Sequence, residues 1–159
     1  MRKLTFFMLA VGLVATLFTA CKKDEDHEIP AGGAFTVEGQ SYPTDIATWS
    51  TSNGLVIKNI GVSPDYIENY VRVIIDSLNY PTYTYLSRNN GAYDAKKNFS
   101  SAEVRYNKTN VAGQGTDITG VTAGTINVKK EGADLYSIEY NITVDNKVVS
   151  GRYRGKIVK

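Results

Sequence analysis

Between Tyr136 and Val144 every second side chain is apolar or aromatic. Tyr136, Ile138, Tyr140, Ile142 and Val144 share one side, and Ser137, Glu139, Asn141 and Thr143 share the other. A half-buried antiparallel strand produces that period of two. The residues that follow test the reading. If Asp145-Asn146 is a two-residue turn, which those side chains tolerate through positive φ, Ile142 faces Val149, Ile138 faces Tyr153 and Glu139 faces Arg152. Tyr140 then meets Gly151 and Tyr136 meets Gly155, so each ring lies over a position without a side chain. A slip of one residue would destroy all of these pairs.

The same alternation runs through Gly124-Thr125-Ile126-Asn127-Val128-Lys129, joined to the hairpin through Lys130-Glu131-Gly132-Ala133. Near the other end, Phe35-Thr36-Val37-Glu38 turns at Gly39-Gln40 into Ser41-Tyr42, and Pro43 limits that strand to an edge or bend. Further strands are predicted at 45–51, 54–60, 70–76, 82–87 and 100–107, with polar loops at 88–98 and 107–120. Ser63-Pro64 has helix-start chemistry, but the stretch after it is too short for more than a turn or two. Eight to ten short strands joined by local hairpins predict an all-β fold, a β-sandwich or a flattened barrel, over residues 34–159 as a single domain. A lipocalin-like barrel is the alternative, although Trp49 follows Ala47-Thr48 and lacks the Gly-x-Trp fingerprint of that family.

The first 33 residues have a different character. Met1-Arg2-Lys3 is a short basic start, and the seventeen residues from Leu4 to Ala20 carry no charge. Residues 1–20 thus have the layout of a signal peptide, with an uncleaved membrane anchor as the alternative at the short end of the ~17–25 residues that span a bilayer. Phe18-Thr19-Ala20-Cys21 resembles the lipobox of bacterial lipoproteins. The resemblance implies cleavage before Cys21, thioether lipidation of its sulfur and acylation of its new amine, which meets the need for more than one chain in stable anchoring. Lys22-Lys23-Asp24-Glu25-Asp26-His27-Glu28 has the composition of a solvated tether. It also resembles the Lys-then-acidic export signal of Bacteroidota lipoproteins, which implies the outer face of the outer membrane; a periplasm-facing location is the alternative. Residues 21–33 are read as the lipidated cysteine and its disordered acidic tether.

Setting residues 1–20 aside changes the arithmetic. The chain of 159 residues has 18 basic and 16 acidic side chains. Removing Arg2 and Lys3 leaves the two signs equal, so the basic balance belongs to the leader. The two methionines go with it, Cys21 becomes terminal, and the single histidine, His27, lies in the tether. The β domain therefore has no Cys, His or Met. That composition excludes cysteine nucleophiles, Ser-His-Asp triads, structural zinc, disulfides and haem held by His or Met, and no cofactor or metal is expected.

All eleven tyrosines lie in the domain, beside Phe35 and Phe99. Tyrosine suits strand faces, with an apolar body and a polar tip, so most are expected in packing. Aromatic faces also stack on sugar rings, and Trp49, Tyr83 and Tyr85 are the candidate ligand-binding residues, with Tyr66 and Tyr70 a weaker pair. The domain's acids scatter singly through strands and turns, and no pair is picked out for the two-carboxylate chemistry of glycoside hydrolysis. Asp94, Lys96 and Asn98 make a poor calcium loop, because lysine stands where oxygen is wanted. Arg152, Arg154 and Lys156 share one strand face; with no mature net charge they read as a solvated edge that discourages aggregation rather than a nucleic-acid surface. Asp76-Ser77-Leu78 resembles the O-glycosylation sequon of Bacteroidota, which makes Ser77 a candidate for modification.

Three further segments carry a likeness at the level of the whole domain: Pro81-Thr82-Tyr83-Thr84-Tyr85, Gly124-Thr125-Ile126-Asn127-Val128 and Gly151-Arg152-Tyr153-Arg154-Gly155. With the opening Phe35-Thr36-Val37-Glu38-Gly39-Gln40-Ser41-Tyr42, they resemble a recurring domain of Bacteroidota surface lipoproteins. The likeness implies an all-β lipoprotein and no catalytic role. The expected function is a non-catalytic binding or interaction module, anchored in the outer membrane through Cys21, whose ligand is a glycan or a partner protein at the cell surface. A lipocalin-like carrier of a small apolar molecule and a structural envelope subunit are the alternatives.

Overall fold

The structure is a computed structural model that describes residues 32–61, 66–111 and 114–159. The leader, Cys21, the charged tether up to residue 31 and the Ser63-Pro64 helix start lie outside the described residues. Within them the fold is all-β, without a helix. Twelve strands follow one another: β1 (Gly32–Val37), β2 (Gln40–Thr44), β3 (Ile46–Ser50), β4 (Gly54–Lys58), β5 (Glu68–Val73), β6 (Thr82–Tyr85), β7 (Asn98–Phe99), β8 (Ala102–Lys108), β9 (Thr116–Thr119), β10 (Val121–Lys130), β11 (Leu135–Val144) and β12 (Lys147–Val158).

The β11–β12 hairpin has the register that its alternation predicts. Ile142 pairs with Val149, Ile138 with Tyr153, Glu139 with Arg152, Tyr140 with Gly151 and Tyr136 with Gly155. Asp145 and Asn146 both take positive φ, 49° and 59°, as a hairpin turn of matching twist requires. A Cβ at Gly151 would lie 2.5 Å from the Tyr140 hydroxyl, so the ring does occupy the space the glycine leaves.

Strand β12 belongs to two sheets. Its first part lies between β11 and β1, and the first sheet runs β2-β1-β12-β11-β10-β6-β7. Its end, Ile157 and Val158, runs parallel to Ala47 and Thr48 of β3 and opens the second sheet, β3-β4-β5-β8-β9. The sheet is not closed, and its two halves face each other: β2 lies against β4 and β5, and β11 against β8. Two pairings are parallel, β12 with β3 and β6 with β7, where a purely antiparallel meander is expected. The expected loops at 88–98 and 107–120 also yield structure, the two-residue β7 and the edge strand β9. Strand β1 begins at Gly32, two residues ahead of the expected boundary. A Cβ on Gly33 would collide with the Arg152 backbone, so glycine lets β1 close against β12.

The core lies between the halves. One inward row of the first sheet reads Tyr83, Ile126, Tyr140, Gly151, Phe35, Tyr42 across six strands. The Tyr42 ring then bridges the gap, 5.2 Å from Phe35 and 5.0 Å from Tyr106 of β8. Val71, Val104 and Ile118 form the facing row of the second sheet. Five aromatic side chains, Tyr83, Tyr136, Tyr153, Phe35 and Phe99, are fully enclosed there.

Candidate functional site

The three aromatic residues singled out for sugar stacking do not form one platform. Tyr83 is 0% exposed, because it points inward from β6. Its hydroxyl donates to the Ser77 carbonyl, and burial pushes that hydroxyl's pKa up. Tyr85, on the same side of β6, is half-buried with its ring 6.0 Å from Phe99 in an edge-to-face contact. Trp49 packs partly against the core, and its Nε1–H donates to the Ile75 carbonyl at 3.2 Å. Trp49 and Tyr83 therefore share a structural task. The segment 74–81 crosses from the second sheet to the first, and each aromatic donor holds one of its carbonyls, one from either side.

Ser77 lies on that crossover beside exposed Asp76, half-buried, with its Oγ accepting from the Asn79 amide at 2.9 Å. Of the weaker pair, Tyr66 is exposed at the β4–β5 connection, and Tyr70 lies on the outer face of the second sheet. The Asp94–Asn98 loop closes on itself. Asp94 Oδ1 accepts from the Lys96 amide and Asn98 Oδ1 from the Asp94 amide, both at 2.9 Å. Among the described residues no three His, Cys, Asp or Glu side chains gather as metal ligands would.

What the strand register does bring together is the outer face of the first sheet. One row reads Thr84, Thr125, Asn141, Ser150, Thr36, Ser41 across β6, β10, β11, β12, β1 and β2. All six are hydroxyl or amide residues. The neighbouring row reads Thr82, Asn127, Glu139, Arg152, Ala34, Pro43 over the same strands. Two contacts brace the rows: the Thr36 and Ser150 hydroxyls bond at 2.9 Å, and Thr82 donates to Asn127 Oδ1 at 3.1 Å.

This face is furrowed rather than flat. A depression of about 500 Å³ lies over Thr36, Thr125, Asn141, Ser150 and Arg152. It adjoins a second of about 670 Å³, walled by Tyr80 and Pro81 on one side and floored by Asn127, Ser137 and Glu139. Asn127 and Glu139 line both. At the far rim Glu131 takes Arg154 at 2.7 Å and Lys129 at 3.4 Å, and Arg154 foremost holds its carboxyl below the usual range. Such a surface can offer many hydrogen bonds at fixed spacing.

The outer face of the second sheet is built differently. Arg105 reaches Asp117 at 2.5 Å and Glu68 at 2.8 Å, and stacks 5.0 Å above the Tyr70 ring. Tyr70 in turn donates to Glu103, which also meets Arg72 at 3.7 Å. Burial first, then the bond to Glu103, raises the Tyr70 pKa, while Asp117 and Glu68 raise that of Arg105.

The outer rows of the first sheet escaped attention as a site because they contain no aromatic residue. Their signal was nonetheless available: the hairpin register that sets Glu139 against Arg152 also sets Asn141 against Ser150. Compared with known protein families, with curated proteins and with solved structures, the chain matches none.

Proposed function

We propose that the chain is an outer-membrane lipoprotein, anchored through Cys21 and displayed at the cell surface, whose β domain binds glycan without transforming it. The observation that carries the reading is the row of six hydroxyl and amide side chains, Thr84 to Ser41, on the furrowed outer face of the first sheet. Sugar hydroxyls both donate and accept, and so do Thr, Ser and Asn side chains. A stable protein interface wants an apolar or aromatic centre, which these rows lack, so glycan is favoured over protein on this face. The carrier reading is disfavoured by an interior already filled with side chains such as Tyr83, Tyr136 and Tyr153.

A partner protein keeps one argument of its own. Ile60, Tyr66 and Ile67 are exposed at the β4–β5 connection.

Affinity electrophoresis of the purified chain through gels containing soluble polysaccharides tests the glycan reading. Retardation by at least one polysaccharide, weakened by Asn141→Ala, is expected; free migration through all of them sinks it. Anchoring is tested separately by metabolic labelling with a palmitate analogue, which Cys21→Ala should abolish.

A further inference from the structure

We infer that the ligand of the outer face is an extended, uncharged polysaccharide that lies across the strands and meets about one strand per sugar; the inference rests on the glycan reading above. The length of the site comes from the register. Six strands in the order β6-β10-β11-β12-β1-β2 each contribute one hydroxyl or amide residue to the same row, from Thr84 to Ser41. Neighbouring strands lie about 4.7–4.9 Å apart, so five spacings make a row about 24 Å long. A pyranose chain with equatorial linkages advances by about one strand spacing per sugar. Such a chain laid along the row keeps pace with it, and each ring finds a fresh hydroxyl or amide beneath it.

The chemistry of the rows selects against charge. The row from Thr84 to Ser41 carries none. In its neighbour the single acid, Glu139, stands opposite the single base, Arg152. At the rim Lys129 and Arg154 already share Glu131. A polyanion would meet the Glu139 carboxylate at the centre of the furrow.

The two ends of the furrow differ. Tyr80 and Pro81 raise a wall beside β10, whereas the face runs on past β1 to exposed Ser41 on β2. That arrangement suits a chain lying along the sheet better than a pocket for a single sugar, since no wall closes over both sides of any one position.

The experiment is titration calorimetry of the full chain in detergent with β-1,4-linked gluco-, xylo- and manno-oligosaccharides of one to six units. β-1,4-linked oligomannuronates of the same lengths, which keep the equatorial linkages, serve as charged counterparts. In at least one neutral series, affinity is expected to climb with length, by about tenfold or more from two units to six. Asn141→Ala, at the middle of the row, should weaken every length. Thr84→Val and Ser41→Ala, at its ends, should weaken six units and spare three. Circular dichroism melting confirms that each variant is folded. Equal affinity for one unit and six overturns the extended-chain inference while leaving the glycan reading in place, as does tighter binding of the charged series. Failure of every saccharide, together with free migration through every polysaccharide gel, overturns both.

Discussion

The two outer faces of this molecule are made from the same alternation and end in opposite states. On the second sheet the outward positions of β5, β8 and β9 include Glu68, Tyr70, Arg72, Glu103, Arg105 and Asp117, and these six are spent on one another. On the first sheet the two neighbouring outward rows across β6, β10, β11, β12 and β1 hold Thr, Ser or Asn at seven of ten positions, joined by the two bonds of Thr82 to Asn127 and Thr36 to Ser150. A charge whose partners are its own neighbours has little to offer a ligand. A hydroxyl that faces water exchanges one hydrogen bond for another on binding, at small net cost. The first arrangement stabilises the fold, and the second keeps a surface available.

The comparison is most easily broken at Arg105. Arg105→Met removes hydrogen bonds to two carboxylates and leaves Glu68, Asp117 and Tyr70 facing each other. A loss of about 1.5–3 kcal/mol in urea unfolding is expected, with saccharide binding unchanged. Unchanged stability would mean that the ion-paired face contributes no more than ordinary surface pairs do.

A smaller effect is expected at the rim of the first sheet, where charge returns. Arg154 and Lys129 hold the Glu131 carboxyl below its ordinary value. A depressed folded pKa favours the native state above the ordinary glutamate value of about 4.3, and that contribution disappears as pH falls through the folded value. Arg154→Met should therefore lower stability at pH 7 and leave pH 3 nearly untouched, flattening the acid side of the profile, as parallel urea titrations at the two pH values would register. Asn141→Ala, in an uncharged row, should leave the slope of that profile as it was.

Smaller still is the cost of the rows themselves. Asn141→Ala and Thr125→Val remove polar groups from exposed side chains, so thermal and urea unfolding should shift by no more than about 0.5 kcal/mol, while affinity for oligosaccharide falls. A large loss of stability would make these rows structural and erase the contrast between the faces.

How much of this was legible in the chain depends on how local each signal is. The β11–β12 hairpin was readable to the residue pair, because five inward positions, a two-residue turn and two glycines under rings all demand one register. The end of the same strand was not. Ile157 and Val158 run beside Ala47 and Thr48, about two-thirds of the chain away, and no local pattern encodes that parallel contact. Strand β9 hid inside a polar stretch because an edge strand buries only Ile118 and pairs on one side. The exposure of Tyr83 was misread for a related reason. Aromatic residues drew attention as sugar platforms, yet the alternation that makes β6 a strand sends Tyr83 into the core and Thr82 and Thr84 to the surface. Position in the alternation, more than residue type, decides which side chains a ligand can meet.

The finest test of the contrast lies directly beneath the polar rows. Tyr140 spans the inner side of Gly151, the residue between Ser150 and Arg152, and its hydroxyl has no hydrogen-bond partner among the described residues. Burial raises its pKa accordingly. An unmatched buried hydroxyl is a cost to the native state of about 1–3 kcal/mol relative to water, and phenylalanine keeps the ring that fills the space over the glycine. Tyr140→Phe should therefore leave unfolding free energy unchanged or raise it, whereas Tyr83→Phe, which deprives the Ser77 carbonyl of its donor, should lower it. If the outer rows bind through their own side chains, Tyr140→Phe also leaves saccharide affinity as it was. A fall in affinity with stability intact would mean instead that the hydroxyl beneath the sheet tunes the face above it, and the two layers would have to be treated as one site.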